Sequence, residues 1–488
     1  MTREGQQYYS EIDELLASRK IEVAEHEINK LPSGEEFQQL SSMQQYQILR
    51  LRGKLELEKG NVAEASQWFL LAFEENPDCV QAKQNQVLAY WLSHNNKKAY
   101  DLASMYLNQG IDSDVMVTHF VRSLESYDEL QSTVEKYDEL ISEDEILSTS
   151  VAHRYFEFKK YEQAQSFAQQ ALILSPESPH VHFELGMIFH EWGLHGHWSY
   201  RTNRLAQALE HYNSTIAFAE LQSYQVLLPD TYMNRGSLRC LLHDDEADKD
   251  LLLAAQISST PEWYAERAIP LLLSRNKAEK AERLLKHLDL QKNAGQFLKL
   301  CVESEVGDEQ TKLENTKSIS RLADKDWDRA IECRFHGVQW ALELNNIDLA
   351  RSFITEEVTK EFPFHAYVLN AWVEGKSHNF DQAQQYANQA MEVRADNWDE
   401  INPHDLRMLS HIFLELGDDH QALILLEQII VPGYLDQNMK DLVQCAQRLE
   451  RHDLLLRVCQ EMRECGTADE KCDSPRLSDS GGSRNNGS

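Results

Sequence analysis

The chain has 488 residues, with 48 Lys and Arg against 80 Asp and Glu, and a formal net charge of −32. It is too long for one compact core, and its acidic balance argues against a surface built to hold nucleic-acid phosphates. Gly and Pro are scarce, at 19 and 11, while Leu, Ala, Glu and Gln abound, a mix that favours helix. The eight cysteines lie far apart with no CxxC pair and read as small buried residues of a reducing compartment. Two of them, Cys465 and Cys472, could pair or bind metal, but two ligands alone say little. The N-terminus, MTREGQQYYSEIDELLASRK, lacks the apolar core of a signal peptide, and no run of about 18 apolar residues occurs. A cytoplasmic protein without membrane insertion is expected.

In chain order, the first well-formed pattern runs through Gly53, Gly60, Ala65, Phe69, Ala72 and Pro77. Small residues at 53 and 65 let two antiparallel helices cross closely, Phe69 fills the space one turn later, and Pro77 stops the second helix. The unit beginning at Val80 keeps Tyr90 and Ala99, with Val87 at the glycine position. From Asp112 to Glu143 the pattern degenerates, although Val117, Phe120, Val121 and Leu124 keep helical spacing. It returns with Ala152, Tyr155, Ala164, Ala168, Ala171 and Pro176, then with Leu185, Gly186, Phe189 and Gly193, and resumes at Ala208 and Tyr212 after an insertion. Tyr232, Gly236, Ala247, Leu251 and Ala254 mark another unit, one residue short in its turn, and Ala268, Leu272, Ala281, Leu285 and Leu288 the next. Residues 295–328 look like an irregular connection with the charged stretch ESEVGDEQTKLENTK. Three more units carry Gly337, Ala341 and Ala350; Tyr367, Ala371, Ala383, Ala387 and Ala390; and Leu406, Phe413, Gly417, Ala422 and Leu426. Two last helices, about Gln437–Leu449 and Asp453–Met462, would cap the array. The polar stretch 465–488 is too poor in apolar residues to order itself.

Recurrence of this ladder at about 34 residues resembles the tetratricopeptide repeat family over most of residues 5–463. No unit has every signature residue: tryptophan is missing from the fourth position of the clear units, and Arg52 precedes Gly53 where leucine is usual. The resemblance implies an all-α, right-handed α-solenoid of antiparallel helix pairs. It would comprise an N-terminal solenoid over 1–294, the connection at 295–328, and C-terminal repeats with caps over 329–464. Family ligands lie along the concave face presented by the first helix of each pair. Carried onto this chain, that face offers His180, Phe183, Met187 and His190, then Asp230, Met233, Asn234, Ser237 and Cys240, then Trp263, Glu266 and Arg267. An apolar floor with a few polar groups suits an extended or helical peptide, although ordinary groove residues without a ligand would look the same.

Chaperone-binding members of the family grip a C-terminal carboxylate with a lysine-asparagine-asparagine-lysine-arginine clamp. Asn234 and Arg267 match it, but Phe183 and Met187 stand where the lysine and first asparagine belong. In an earlier register Arg50 and Asn85 fit, while Lys54, Val115 and His119 do not. Such a clamp is not expected.

The least regular feature is the insertion at 194–204: Gly186 and Ala208 stand 22 residues apart, against 12 between Gly53 and Ala65. Read as a lengthened loop, it holds His195, His197, Trp198, Tyr200, Arg201 and Arg204, with His180, His182, His190 and His211 close in sequence. Three readings stay open. The loop packs on the next repeat; it binds a partner, since aromatics and arginine dominate binding hot spots; or its HxH holds a metal. His182 faces inward and reads as a packing residue.

The chain has no GxxxxGK[ST] loop, GxSxG elbow, HExxH helix or glycine-rich loop after a strand. No catalytic residue, metal or cofactor is expected. The reading is a non-enzymatic scaffold or adaptor binding protein or peptide partners. A ligand- or peptide-sensing regulator and a metal-binding enzyme using the insertion are the alternatives.

Overall fold

A computed structural model describes residues 3–456 apart from 19, 196–200, 223, 243, 326–328, 397–402 and 430–436. Among the described residues there is helix and no strand. The chain divides into two compact units, 1–189 with 213–225, and 190–212 with 226–488.

The first unit opens with α1 (Arg3–Ala17), α2 (Ile21–Asn29) and α3 (Gly34–Gln38). The pairs α4 (Ser42–Glu58) with α5 (Val62–Glu75) and α6 (Val80–Leu92) with α7 (Asn96–Asn108) follow. The degenerate stretch forms three short helices, α8 (Asp114–Ser123), α9 (Tyr127–Lys136) and α10 (Asp138–Glu143). Then comes the pair α11 (Glu145–Glu157) and α12 (Tyr161–Leu174). The division into units falls within α13 (Pro179–His195) and α14 (Arg201–Leu221).

The second unit continues with α15 (Leu228–Leu241), α16 (Ala247–Ile257), α17 (Pro261–Ser274) and the short α18 (Ala278–Glu282). After these come α19 (Asn293–Val306), α20 (Glu309–Ala323), α21 (Ala330–Glu343), α22 (Ile347–Ser352) and α23 (Glu356–Glu361). The last are α24 (Pro363–Lys376), α25 (Phe380–Asp396), α26 (Pro403–Glu415), α27 (Asp419–Ile429) and α28 (Gln437–Arg448). Within each unit consecutive helices pack pairwise, which makes the fold an α-solenoid of helical hairpins.

Three hairpins close by a glycine facing a large side chain. A Cβ on Gly53 would lie 2.7 Å from Phe69 Cε1, and one on Gly337 2.2 Å from Phe353 Cε1. Gly236 faces Leu251 at 2.9 Å in the pair whose turn is one residue short. Ala65, Ala72, Ala164, Ala168, Ala171, Ala247 and Ala254 are fully buried where helices approach. The turns share a second device. The second residue past the end of the first helix takes a left-handed conformation, at Gly60, His94, Lys159, Asn276, Asn345, His378, Gly417 and Glu450. The following amide then reaches back to a carbonyl five residues earlier, as from Asn61 to Glu56 and from Lys160 to Tyr155, both 2.8–2.9 Å.

Two expectations need correction. Residues 295–328 are not an irregular connection: α19 and α20 fill most of the stretch, with Asp308 capping α20 through a 2.8 Å bond from the Thr311 amide. The charged residues there are a solvated helix face. Nor are the described ends of 194–204 loop. Leu194 and His195 belong to α13 and Arg201–Arg204 to α14, so the insertion lengthens both helices. Gly193 packs closely on the second arm, where a Cβ would sit 2.6 Å from Leu205 Cδ2. A glycine that reads as a loop breaker is there to let the helices meet. Residues 197, 198 and 200, the tail 465–488 and most of the second capping helix lie outside the described residues.

Candidate partner-binding site

In the second unit, the first helices of five successive pairs (α17, α19, α21, α24 and α26) line one cleft of about 900 Å³. Its floor is apolar: Phe297, Leu298, Phe335, Trp340 and Ile412 are buried, while Leu273, His336, Trp372 and Met408 are half-buried and present edges to the opening. Helical spacing explains the set, because residues three, four and seven apart share a face. His336 lies edge-on to Phe297, with ring centres 5.5 Å apart, and 5.6 Å from Trp340. The Arg329 guanidinium lies 4.7 Å from the centre of the Phe297 ring.

The rim is ionic and largely self-paired. Lys376 binds Glu415 and Lys312 binds Glu343, both at 2.7 Å. Arg329 pairs with Glu332 at 2.5 Å, and His411 lies 3.7 Å from the buried carboxylate of Asp441. Glu305 on α19 and Arg407 on α26 also line the cleft, and neither has an ion-pair partner among the described residues. The arrangement is a preformed trough with an aromatic floor and two uncommitted opposite charges. It has the composition of a peptide-binding groove.

The residues expected to form a groove are distributed differently. Trp263 is 41 % exposed, and the Arg267 guanidinium stacks 3.5 Å from its ring centre. They lie seven and three residues before Pro270 on α17, so they continue the cleft's stripe toward the start of that helix. Asn234 on α15 is half-buried. Met233 is buried and is not a groove floor: α17 covers that face of α15, with the Tyr264 hydroxyl donating to Asp230 at 2.7 Å.

His190 is likewise buried, not groove-lining. Its Nδ1 lies 3.4 Å from the Tyr212 hydroxyl, and burial pushes its pKa down to about 4. In the first unit, Phe183 and Met187 are half-buried on α13 and His180 is exposed, bonded to the Tyr224 hydroxyl. His182 is a packing residue as expected, stacked 5.3 Å from Phe218 and bonded to the Pro176 carbonyl at 3.0 Å. From the insertion, His195 is exposed and pairs with Glu191 at 3.2 Å, and Arg204 lies 3.6 Å from the Trp192 ring centre. The clamp registers are spent otherwise: Arg50 and Lys54 both bind Asp13, and His119 is buried. Among the described residues no three His, Cys, Asp or Glu side chains gather as a metal site, and no helix is long and apolar enough to cross a membrane.

The 270–415 cleft lies outside the groove residues that the repeat pattern singles out, which fall between 180 and 267. The available signal was Trp340, Trp372 and Met408, large apolar residues on the first helix of three successive pairs.

No protein-family model matches the chain, and no curated protein sequence does. Among solved structures the chain is similar to the crystal structure of the APC/C hetero-tetramer Cut9-Hcn1. Identity is 12%, over 88% of this chain and 90% of that one, with a TM-score of 0.31. A likeness that distant carries no function.

Proposed function

We propose that the protein is a non-catalytic scaffold or adaptor of tetratricopeptide type, and that it holds a peptide segment of a protein partner in the cleft of its second unit. One observation carries this reading: the first helices of five successive pairs jointly line a single apolar-floored trough. A preformed trough leaves most of the ordering cost to the ligand. Trp372 and Met408 would serve as anchors, since they are half-buried and can contribute area without being the core of a hairpin. Trp263 and Arg267 would lengthen the track at its α17 side.

The test is a random peptide library selected on the immobilised full chain. Enriched peptides should bind the wild type and lose at least about tenfold in affinity on Trp372→Ala and on Met408→Glu, equivalent to about 1.4 kcal/mol. Both variants should keep the wild-type helical circular dichroism. Peptides whose affinity is untouched by both changes would remove this cleft as the site.

A further inference from the structure

The first unit contains a second cleft, of about 890 Å³, with an arginine in its wall that forms no ion pair among the described residues. Arg122 is the penultimate residue of α8 and is largely covered. Its Nε donates to Ser150 Oγ at 3.0 Å, and its guanidinium lies 5.3 Å from the Trp91 ring centre. Neither Nη atom has a hydrogen-bond partner, and no carboxylate forms an ion pair with it, among the described residues. Arg50, Arg235 and Arg275, by contrast, each hold an aspartate. A largely covered cation without an ion pair is costly; burial lowers the Arg122 pKa, and burial together with Arg122 pushes the buried His119 down to about 3.

The rest of the wall narrows the ligand. Ile146, which is 57 % exposed, Pro176 and Pro179 supply apolar surface. The first turns of α11 and α13 open onto the cleft and bring the positive ends of two helix dipoles. Glu145, held by the Ser178 hydroxyl at 2.7 Å, and Glu177 also stand in the wall. They oppose a doubly charged anion more than a singly charged one. We propose that this cleft binds a carboxylate carried beside a branched apolar group, with Arg122 as the anchoring fork and Ile146 as the apolar wall. The ligand would be an acidic side chain or chain end of a partner peptide. The site is independent of the trough in the second unit.

Full-length protein labelled with 5-fluorotryptophan tests this directly, because Trp91 stacks on the anchor. Its fluorine resonance is assigned by Trp91→Phe. N-acetyl-leucine (a terminal carboxylate) and N-acetyl-aspartyl-leucinamide (a side-chain carboxylate) are titrated separately, beside N-acetyl-leucinamide and inorganic phosphate. A saturable shift at roughly millimolar concentration with either carboxylate, absent with the amide and with phosphate, supports the site and identifies the source. The shift should vanish in Arg122→Gln, weaken at least about threefold in Arg122→Lys, which keeps the charge and loses the fork, and weaken in Ile146→Ser. If Arg122→Gln does not fold, the lysine and Ile146 variants decide. No saturable shift with either carboxylate, an equal response to the amide or to phosphate, or a response unchanged in these variants overturns the proposal.

Discussion

Gly337 and Phe353 occupy what is almost one volume, since a Cβ on the glycine would come within 2.4 Å of two ring atoms, and Gly53 repeats the arrangement with Phe69 at 2.7 Å. Alanine would gain about 1 kcal/mol of helix propensity at either site and lose more to the clash, so destabilisation of about 1–3 kcal/mol is expected. It should be larger for Gly337→Ala, and Phe353→Leu should relieve it; hydrogen exchange in α21 and α22 reads both. The left-handed turn residues predict the opposite sign. Lys159 adopts φ 57°, which costs a side-chain-bearing residue about 1 kcal/mol more than glycine. Lys159→Gly should therefore slow exchange in α11 and α12. The glycine–ring pairs and the buried alanines were legible because their spacing recurs. The burial of Met233 and His190 was not, because a position rule assigns each helix the same open stripe. Which stripe is open depends on the next partner, here Tyr264 over α15 and Tyr212 beside His190.

Between elements, α15 to α18 are tied by two buried carboxylates. Asp250 takes Arg235 at 2.7 Å and Arg239 at 2.8 Å, while Asp248 takes Arg275 at 3.3 Å and Lys280 at 2.7 Å. Removing Asp250 takes the buried carboxylate away from both arginines, with Arg239 retaining Asp244 at 3.1 Å, so Asp250→Ala should cost about 3–5 kcal/mol, seen as early melting of these helices. No periodicity announces such a network, since its members are ordinary surface residues in any single helix. Buried histidines give a pH dependence of definite sign. His119 and His190 have pKa values pushed down to about 3 and about 4 by burial, with Arg122 adding to the effect at His119. The unfolded chain binds protons near pH 6.5 and the folded one does not, so each contribution is present above that pH and lost below it, at about 1.4 kcal/mol per unit. His153 runs the other way: burial lowers its pKa, but the Glu184 carboxylate 3.2 Å away outweighs that and raises it, so its contribution fades as pH rises. Urea midpoints should fall from pH 7 to pH 5, and less steeply in His190→Gln if that variant folds.

For the molecule as a whole, an excess of 32 negative charges attracts basic partners at long range, within a Debye length of about 8 Å at physiological salt. The trough itself is more balanced. Glu305 and Arg407, on the second and the last of its five helices, offer opposite charges to a bound segment. Peptides selected on the wild type should carry a basic residue toward one end and an acidic one toward the other. The double charge reversal Glu305→Lys with Arg407→Glu should invert that polarity, and a selection indifferent to the swap would show that the floor alone decides binding. Architecture was readable from the repeat because each unit touches mainly its neighbours. The cleft was not, because it belongs to five helices drawn from about 146 residues and to no single motif.

The lengthened hairpin carries one more implication. Nine residues of α13 follow Gly186 where five of α4 follow Gly53, and seven residues of α14 precede Ala208 where three of α5 precede Ala65. Each arm has gained four residues, close to one helical turn of about 3.6. Four residues turn a helix about 400°, within about 40° of a full turn, so the added residues face much as the turn beneath them does while each arm extends by about 6 Å. An array built this way accepts new length in quanta. One residue added to each arm would instead point its new end about 100° away from the face below, and that is the length change this scaffold should tolerate least.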